Sequence, residues 1–230
     1  YISRKLSQAF IYFQPRDIVS GDFYWFAETP DSYIIAAVDC TGHGVPGAFM
    51  SLIGSTLLNE IVNTNKILSP AAILTELNAK VVETLKQEKT GFHSYDGMDI
   101  ALCTISKDKT KCLFASAYRP LYFIRNGNLQ EIKGNSYSLG GKSIVGEKVF
   151  KEHEVQLAKD DMLYSFSDGY ADQFSEVNHK KLTTKLVKTL LTLISEHDVK
   201  TQYEKIKENF EYWKGNEEQV DDILIIGIKI

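Results

Sequence analysis

The sequence predicts an α+β fold in which two mostly antiparallel sheets pack face to face, with pairs of helices on the outside. Three observations carry that expectation. The apolar patterning runs strands, helix pair, strands, helix pair, strand, unlike the regular alternation of a parallel α/β sheet. Neighbouring strand-like runs are separated by short turn signals such as Asn126-Gly127, as antiparallel pairing requires. The last run, Ile223-Leu224-Ile225-Ile226-Gly227-Ile228, is apolar on both faces and reads as a core strand.

Taken in order, Ala9-Phe10-Ile11-Tyr12-Phe13 is a β-rich run closed by Gln14-Pro15, and Asp22-Phe23-Tyr24-Trp25-Phe26-Ala27 is a second. The turn Thr29-Pro30-Asp31 leads into a third, Ser32-Tyr33-Ile34-Ile35-Ala36-Ala37-Val38. Pro46 and the apolar row Phe49, Ile53, Leu57 and Ile61 then predict a helix. Ser69-Pro70 reads as a cap followed by proline, and Ile73, Leu74, Leu77, Val81 and Leu85 put one apolar face on a second helix. Residues 87–97 read as a loop and residues 98–105 as a strand. The turn Lys107-Asp108-Lys109-Thr110 joins it to Cys112-Leu113-Phe114-Ala115, and Asn126-Gly127-Asn128 closes a hairpin between Leu121-Tyr122-Phe123-Ile124 and Leu129-Gln130-Glu131-Ile132. Residues 134–146 read as a loop, residues 149–157 as a half-exposed strand, and Met162-Leu163-Tyr164-Ser165-Phe166-Ser167 as a buried strand ending at Asp168-Gly169. Two late helices are expected, over 184–195 through Leu186, Leu190 and Ile194, and over 199–213 through Tyr203, Ile206, Phe210 and Trp213.

With 230 residues, 43% of them apolar and 24% charged, the chain can bury a substantial core, and no linker divides it. It reads as one domain over 1–230, with residues 1–8 as the end of a linker from an upstream regulatory domain. A net charge of -4 gives no general attraction for nucleic acid or anionic lipid, and the basic cluster from His179-Lys180-Lys181 to Lys188 reads as a solvated helix face. Cys40, Cys103 and Cys112 have no CxxC spacing, which favours reduced thiols in the cytoplasm over a disulfide framework or a zinc site. No apolar run of membrane-spanning length and no signal peptide is read from the sequence.

The chemistry lies in where the acids fall. Asp22 follows Ser20-Gly21 at the start of a strand, Asp39 ends one, Asp168 ends another, and Asp221-Asp222 begin the last. Acids at strand ends from distant parts of the chain can meet at one edge of a sandwich. Between Asp39 and the first helix lie Gly42, Gly44 and Gly47, a loop in which backbone groups can approach an ion or a phosphate. Hard oxygen donors without neighbouring His or Cys pairs suit magnesium or manganese and argue against zinc. Two such ions bind a phosphoryl oxygen and lower the pKa of a bridging water, which allows hydrolysis without a covalent intermediate. Singly, each Asp beside Gly is also a turn former, and Asp96-Gly97 and Asp160-Asp161 read as turns. His43 is either a general acid or a residue that bonds its own loop. Arg16 either holds substrate phosphate or pairs locally with Asp17. Cys40 offers its carbonyl rather than its sulfur to such ions.

These residues carry a resemblance. Asp17-Ile18-Val19-Ser20-Gly21-Asp22-Phe23-Tyr24-Trp25, the stretch DCTGHGVPGAFMS from Asp39 to Ser51, Phe166-Ser167-Asp168-Gly169 and Asp221-Asp222-Ile223 occur in the order and spacing of the SpoIIE-type phosphatases, the bacterial branch of the family that contains the protein phosphatases 2C. The likeness runs from about residue 10 to 230. It implies a four-layer α-β-β-α sandwich with two Mn2+ or Mg2+ ions at one edge. Asp39 would bridge both ions, with the carbonyl of Cys40 on one of them; Asp168 and Asp221 would complete the other shell, Asp222 being the lesser choice of the adjacent pair, and Asp22 would act through a bound water. It further implies hydrolysis of phosphoserine or phosphothreonine on a protein, usually a STAS-domain anti-sigma-factor antagonist, by the output domain of a bacterial signalling protein that an upstream sensor switches. A homodimer stays open. The other classes are a catalytically silent phosphatase-like binding module and a two-metal phosphodiesterase, the latter disfavoured by the lack of a basic groove.

One departure stands out. Many relatives have a glycine-rich turn with His or Asn before proline where this chain has the larger Tyr118 and Arg119 in Ala117-Tyr118-Arg119-Pro120, which puts in question the substrate contacts the resemblance implies at that turn but not the metal ligands.

Overall fold

The structure, a computed structural model, describes residue 6 and residues 8–87, 96–141 and 148–230. The linker expected at 1–8, Leu6 and Gln8 apart, lies outside the described residues, as do most of the loop expected at 87–97 and the 142–146 part of the next one.

Two antiparallel sheets lie face to face. The 5-stranded sheet has the order β1 (Ala9–Gln14), β11 (Ile223–Lys229), β10 (Met162–Phe166), β6 (Leu121–Arg125) and β7 (Asn128–Ile132). The 6-stranded sheet runs β2 (Phe23–Glu28), β3 (Ser32–Cys40), β4 (Gly97–Ser106), β5 (Lys111–Ala117) and β9 (His153–Gln156), with the short β8 (Leu139–Gly140) paired to the start of β4. Helices α1 (Gly44–Leu58) and α2 (Pro70–Thr84) cover the second sheet; α4 (Thr183–Ile194) and α5 (Val199–Lys214) cover the first, and a single turn, α3 (Gly169–Asp172), follows β10. This is the expected four-layer α-β-β-α sandwich.

The strand period of two sorts the side chains into three cores. On β3, Ile34, Ala36 and Val38 meet the helices, while Ile35 and Ala37 meet the other sheet. On β4, Ile100 and Leu102 face the helices, and Ala101, Cys103 and Ile105 face the middle layer. On β11, Ile223 and Ile225 pack under α4 and α5, and Leu224, Ile226 and Ile228 fill the middle. The last strand is the buried one foreseen, paired on one side with β1 and on the other with β10.

Local signals account for several boundaries. Ser69 accepts a hydrogen bond from the Ala72 amide, with Pro70 in the first turn of α2. Asn126 and Gly127 both have positive φ, 50° and 73°, the primed two-residue turn that suits a twisted hairpin, with Arg125 opposite Asn128. Asp198 caps α5 through the amides of Lys200 and Thr201.

Four expectations are corrected. The fully buried stripe of α1 is Gly47, Met50, Gly54 and Leu58; of the expected row, Phe49 is 64% exposed, Ile53 and Leu57 pack half-buried against the core, and Ile61 beyond the helix is buried. The glycines decide this: a Cβ on Gly54 would lie 2.9 Å from the Phe23 ring, so only a glycine stripe lets the helix approach β2 so closely. Likewise α4 buries Val187, Leu191 and Ile194 and leaves Leu186 exposed. Each helix carries two adjacent apolar rows, and tertiary contact selects between them. The strand expected over 149–157 is confined to β9, because only Lys111 to Phe114 of β5 offer it partners. Finally, α1 runs on into a π-helical turn, Asn59–Thr64, so that Gly44–Thr64 spans 21 residues and is long and apolar enough by composition to cross a membrane; here its buried stripe packs on the second sheet.

Candidate metal centre

The alternation of β3 and β4 aims the centre. Ile35 and Ala37 face the middle layer, so Asp39 continues that stripe to the end of the sandwich; Cys103 and Ala101 do the same on β4, and Asp99 continues theirs. Both carboxylates therefore emerge where the two sheets part. From the other sheet, Asp168 leaves the end of β10 and Asp221 precedes β11, its antiparallel neighbour. The two connections touch: a Cβ on Gly169 would fall 2.0 Å from the Asp222 carbonyl oxygen, so glycine is required there. A second close approach sets the loop after β3. A Cβ on Gly47 would stand 2.3 Å from the Gly42 oxygen and 2.9 Å from the Gly21 Cα, so the turn before β2 presses directly on the start of α1.

The result is a cleft of about 270 Å³ whose walls include Asp39, Cys40, His43, Asp99, Arg119, Asp168 and Asp221. Behind it, Asp22 is only 4% exposed and its Oδ2 has no hydrogen-bond partner. Burial, then the charge of Asp39, pushes the Asp22 carboxyl up to about 9, against the opposing pull of Ser167. Burial also pushes Asp39 up to about 7, although Arg119 pulls it down. Asp99 and Asp221 are raised as well, in both cases chiefly by burial. Buried carboxylates held above their ordinary range by desolvation and one another are short of positive charge.

Arg119 supplies part of it. The turn from β5 to β6 carries the chain from one sheet to the other, and Tyr118 within it has φ 69°, a left-handed conformation that side chains seldom adopt. The Tyr118 amide donates to Asn135 O at 2.8 Å and the Arg119 amide to Ala117 O at 2.9 Å. Tyr118 is left 59% exposed while the Arg119 side chain is 16% exposed. Its Nη2 donates to Asp39 Oδ2 and, at 2.8 Å, to Asp168 Oδ2, and its Nε stands 3.4 Å from Asp99 Oδ2. Burial works against the guanidinium charge, but Asp39 and Asp168 outweigh it and hold the group protonated. Ser138 Oγ donates to the other oxygen of Asp99.

The residues foreseen as ligands are not all alike. Asp39, Cys40, His43, Asp168 and Asp221 share the cleft, with Asp22 behind them. Asp222 does not: it is 2% exposed, and its two oxygens accept the Arg16 and Gly21 amides, each at 2.8 Å. It is a clamp on the turn between β1 and β2. Arg16 gives Nη1 to the Val220 carbonyl at 3.1 Å and is not among the cleft walls. His43 Nδ1 lies 3.2 Å from Asp17 Oδ2, a partner in the turn between β1 and β2 rather than in its own loop. Burial pushes the Cys40 thiol well up, so its sulfur stays protonated and its carbonyl is the usable donor. Asp99 and Arg119 are the residues that sequence reading did not assign to the site. Asp161, foreseen as a turn residue, is 1% exposed and holds Arg125 through both oxygens.

The donor set fits hard divalent cations: carboxylate oxygens from both sheets around one cleft, and behind it a buried Asp22 oxygen without a partner. Among the described residues no three acidic, His or Cys groups are drawn into a finished cage; Arg119 stands between Asp39 and Asp168 instead.

Comparison with known proteins agrees with this fold. The family described as Stage II sporulation protein E (SpoIIE) matches residues 29–230. The phosphoserine phosphatase RsbU of Bacillus subtilis (strain 168) is 25% identical over 198 residues, 84% of this chain and 53% of that protein, so the chain spans about half the length of this curated relative. Among solved structures, the SiaA-PP2C domain of Pseudomonas aeruginosa superposes with a TM-score of 0.89 at 28% identity, covering 100% of this chain and 89% of that one. The PP2C phosphatase domain of SpoIIE from Bacillus subtilis, solved with a fragment of its regulatory domain, gives 0.75 at 17% identity over 97% of this chain and 63% of that one.

Proposed function

The chain belongs to the SpoIIE family, and from that premise we propose that it is a metal-dependent protein phosphatase that hydrolyses phosphoserine or phosphothreonine on a protein partner. The observation that carries the reading is the convergence of Asp39, Asp168 and Asp221, from two sheets and three distant parts of the chain, on one cleft. Asp39, the Cys40 carbonyl, Asp168 and Asp221 are the groups that would hold two Mn2+ or Mg2+ ions, with Asp22 acting on a water from behind. Bound there, such ions lower the pKa of a shared water and polarise the phosphoryl oxygens.

The chain's own part is to keep these carboxylates fixed around the cleft, with Asp22 buried behind it. The glycine contacts around Gly21, Gly42 and Gly47 hold the loop that carries Cys40 to His43, and the Asp222 clamp holds the turn that carries Asp22. His43, held by Asp17, is a wall of the cleft and is the residue taken to pass a proton to a departing side-chain oxygen. In common with RsbU, described as a phosphoserine phosphatase, the substrate is taken to be a phosphoprotein, with a STAS-domain anti-sigma-factor antagonist as the specific candidate. The buried, unpaired Cys40, Cys103 and Cys112 suit a cytoplasmic setting.

The test is hydrolysis of p-nitrophenyl phosphate and of a phosphoserine protein with manganese, with magnesium and with chelator. Activity restored by either ion and lost in chelator is expected, with Asp39→Ala folded and inactive. An active Asp39→Ala protein would sink the mechanism.

A further inference from the structure

Arg119 occupies the oxygens that the proposed metal ions need, and the way it is held suggests a second use. We propose that Arg119 is the phosphoryl-binding residue of this chain, and that in the metal-free state the same guanidinium is the counter-ion displaced from Asp39 and Asp168; this rests on the phosphatase reading above.

The first observation is the shared oxygens. One nitrogen, Nη2, bridges Asp39 Oδ2 and Asp168 Oδ2, carboxylates delivered by opposite sheets. A divalent cation joining the same two groups would compete with that nitrogen, because a dication and a guanidinium held by the same pair of carboxylates repel each other at close range. The second is the tether. Asp99, fixed by Ser138, lies 3.4 Å from Nε, which has no finished hydrogen bond although it is buried. When Nη2 is released, this anchor keeps the guanidinium at the cleft, and a small rotation can complete the bond from Nε to Asp99. Asp99 and Ser138 are thus positioning residues.

The third observation is the charge of the walls. Asp39, Asp99, Asp168 and Asp221 line the cleft, and among the described wall residues Arg119 is the one permanent cation. A phosphate monoester is a dianion, and a guanidinium offers it two parallel donors that an ammonium cannot. Arg16, the arginine expected for this task, spends Nη1 on the Val220 carbonyl outside the cleft.

The experiment uses Arg119→Gln and Arg119→Lys in the whole chain, with manganese titrated calorimetrically into metal-free protein and inorganic phosphate used as a competitive inhibitor. Losing a charge-assisted hydrogen-bond donor corresponds to roughly a tenfold change or more. R119Q is therefore expected to bind manganese about tenfold tighter, because its competitor is gone, and to be inhibited by phosphate about tenfold less, with KM raised more than kcat is lowered. R119K retains the charge and loses the fork, so its manganese affinity stays within about twofold of the parent while phosphate inhibition weakens. Unchanged manganese affinity in R119Q overturns the counter-ion role, and unchanged phosphate inhibition in R119K overturns the phosphoryl role. Should R119Q fail to fold without its charge, R119K still decides the latter, and the manganese-loaded R119Q protein decides it again. A parent chain that binds manganese but hydrolyses nothing would instead count against the phosphatase reading, and the calorimetric comparison would still test displacement.

Discussion

Asp39 on β3 and Asp99 on β4 are direct cross-strand partners. Two carboxylates in that relationship repel each other, and burial makes the repulsion harder to screen. The fold tolerates the pair because the Arg119 guanidinium touches both residues, by Nη2 on one side and Nε on the other. The structure keeps an unfavourable pairing at the point where a cation would find it favourable.

Asp99→Asn should therefore stabilise the metal-free protein. The change removes one of the opposed charges at constant size, and Asp99 is raised chiefly by burial, so a neutral side chain suits its site better. A gain of about 0.2–1 kcal/mol is expected, read as a higher urea midpoint in chelator. A lower midpoint would mean that the contact with Arg119 outweighs the repulsion from Asp39.

Stability of the metal-free protein should fall as pH rises. Asp22 and Asp39 are raised from 3.8 to about 9 and about 7. Between the ordinary carboxyl value and these folded values, the native state holds protons that the unfolded chain has released, so stability present below about pH 4 is lost progressively up to about pH 9. Melting temperatures in chelator should decline across pH 5 to 9, and manganese should flatten the decline by supplying the charge that protons supply at low pH. A melting temperature that rises with pH in chelator would contradict the buried-acid geometry.

Gly47→Ala should cost far more than Gly127→Ala. The first places a Cβ 2.3 Å from the Gly42 oxygen, against backbone that has nowhere to move. The second meets nothing within 4 Å and carries only the strain of its positive φ. Overpacking of this kind costs about 1–3 kcal/mol or more, against roughly 1 kcal/mol for the turn glycine. Denaturant unfolding of both variants checks the order, and manganese affinity should drop only in the Gly47 variant, whose loop carries Cys40.

The two sheets, their helices and the acids at strand ends were legible in the sequence because each is a local pattern: a period, a cap, or an Asp beside a Gly at the end of an apolar run. Asp99 was not, because the nearby turn signal is Asp96-Gly97 and Asp99 itself lies within the strand, between Met98 and Ile100. Its meaning comes from register with Asp39, a pairing that no stretch of sequence states. A stripe read backwards along β4, Ile105, Cys103, Ala101, Asp99, would have placed it on the middle face. Arg119 was visible only as a departure from the usual turn, since nothing local says that β5 and β6 belong to different sheets. The choice between Phe49 and Met50 as the buried row of α1 was equally hidden, decided by glycines packed against Phe23 and the Gly21 turn.

Asp221 and Asp222 are adjacent, and exchanging each for Asn separates a cleft residue from a clamp. Asp222 accepts the buried Gly21 amide and the Arg16 amide. An asparagine has one acceptor oxygen and turns an NH2 toward the other amide, leaving a donor facing a donor. Loss of roughly 1–3 kcal/mol of stability is expected for Asp222→Asn, with manganese affinity weakened only through the loosened turn. Asp221 lines the cleft and is raised chiefly by burial, so a neutral Asn there should leave stability unchanged or slightly higher. Its manganese affinity should fall by about tenfold or more, as for loss of a charged donor at the site. Urea unfolding and calorimetry on the two variants give opposite patterns if the assignment is correct. If Asp222→Asn lost metal binding while keeping its unfolding midpoint, the clamp and the ligand would have to be exchanged.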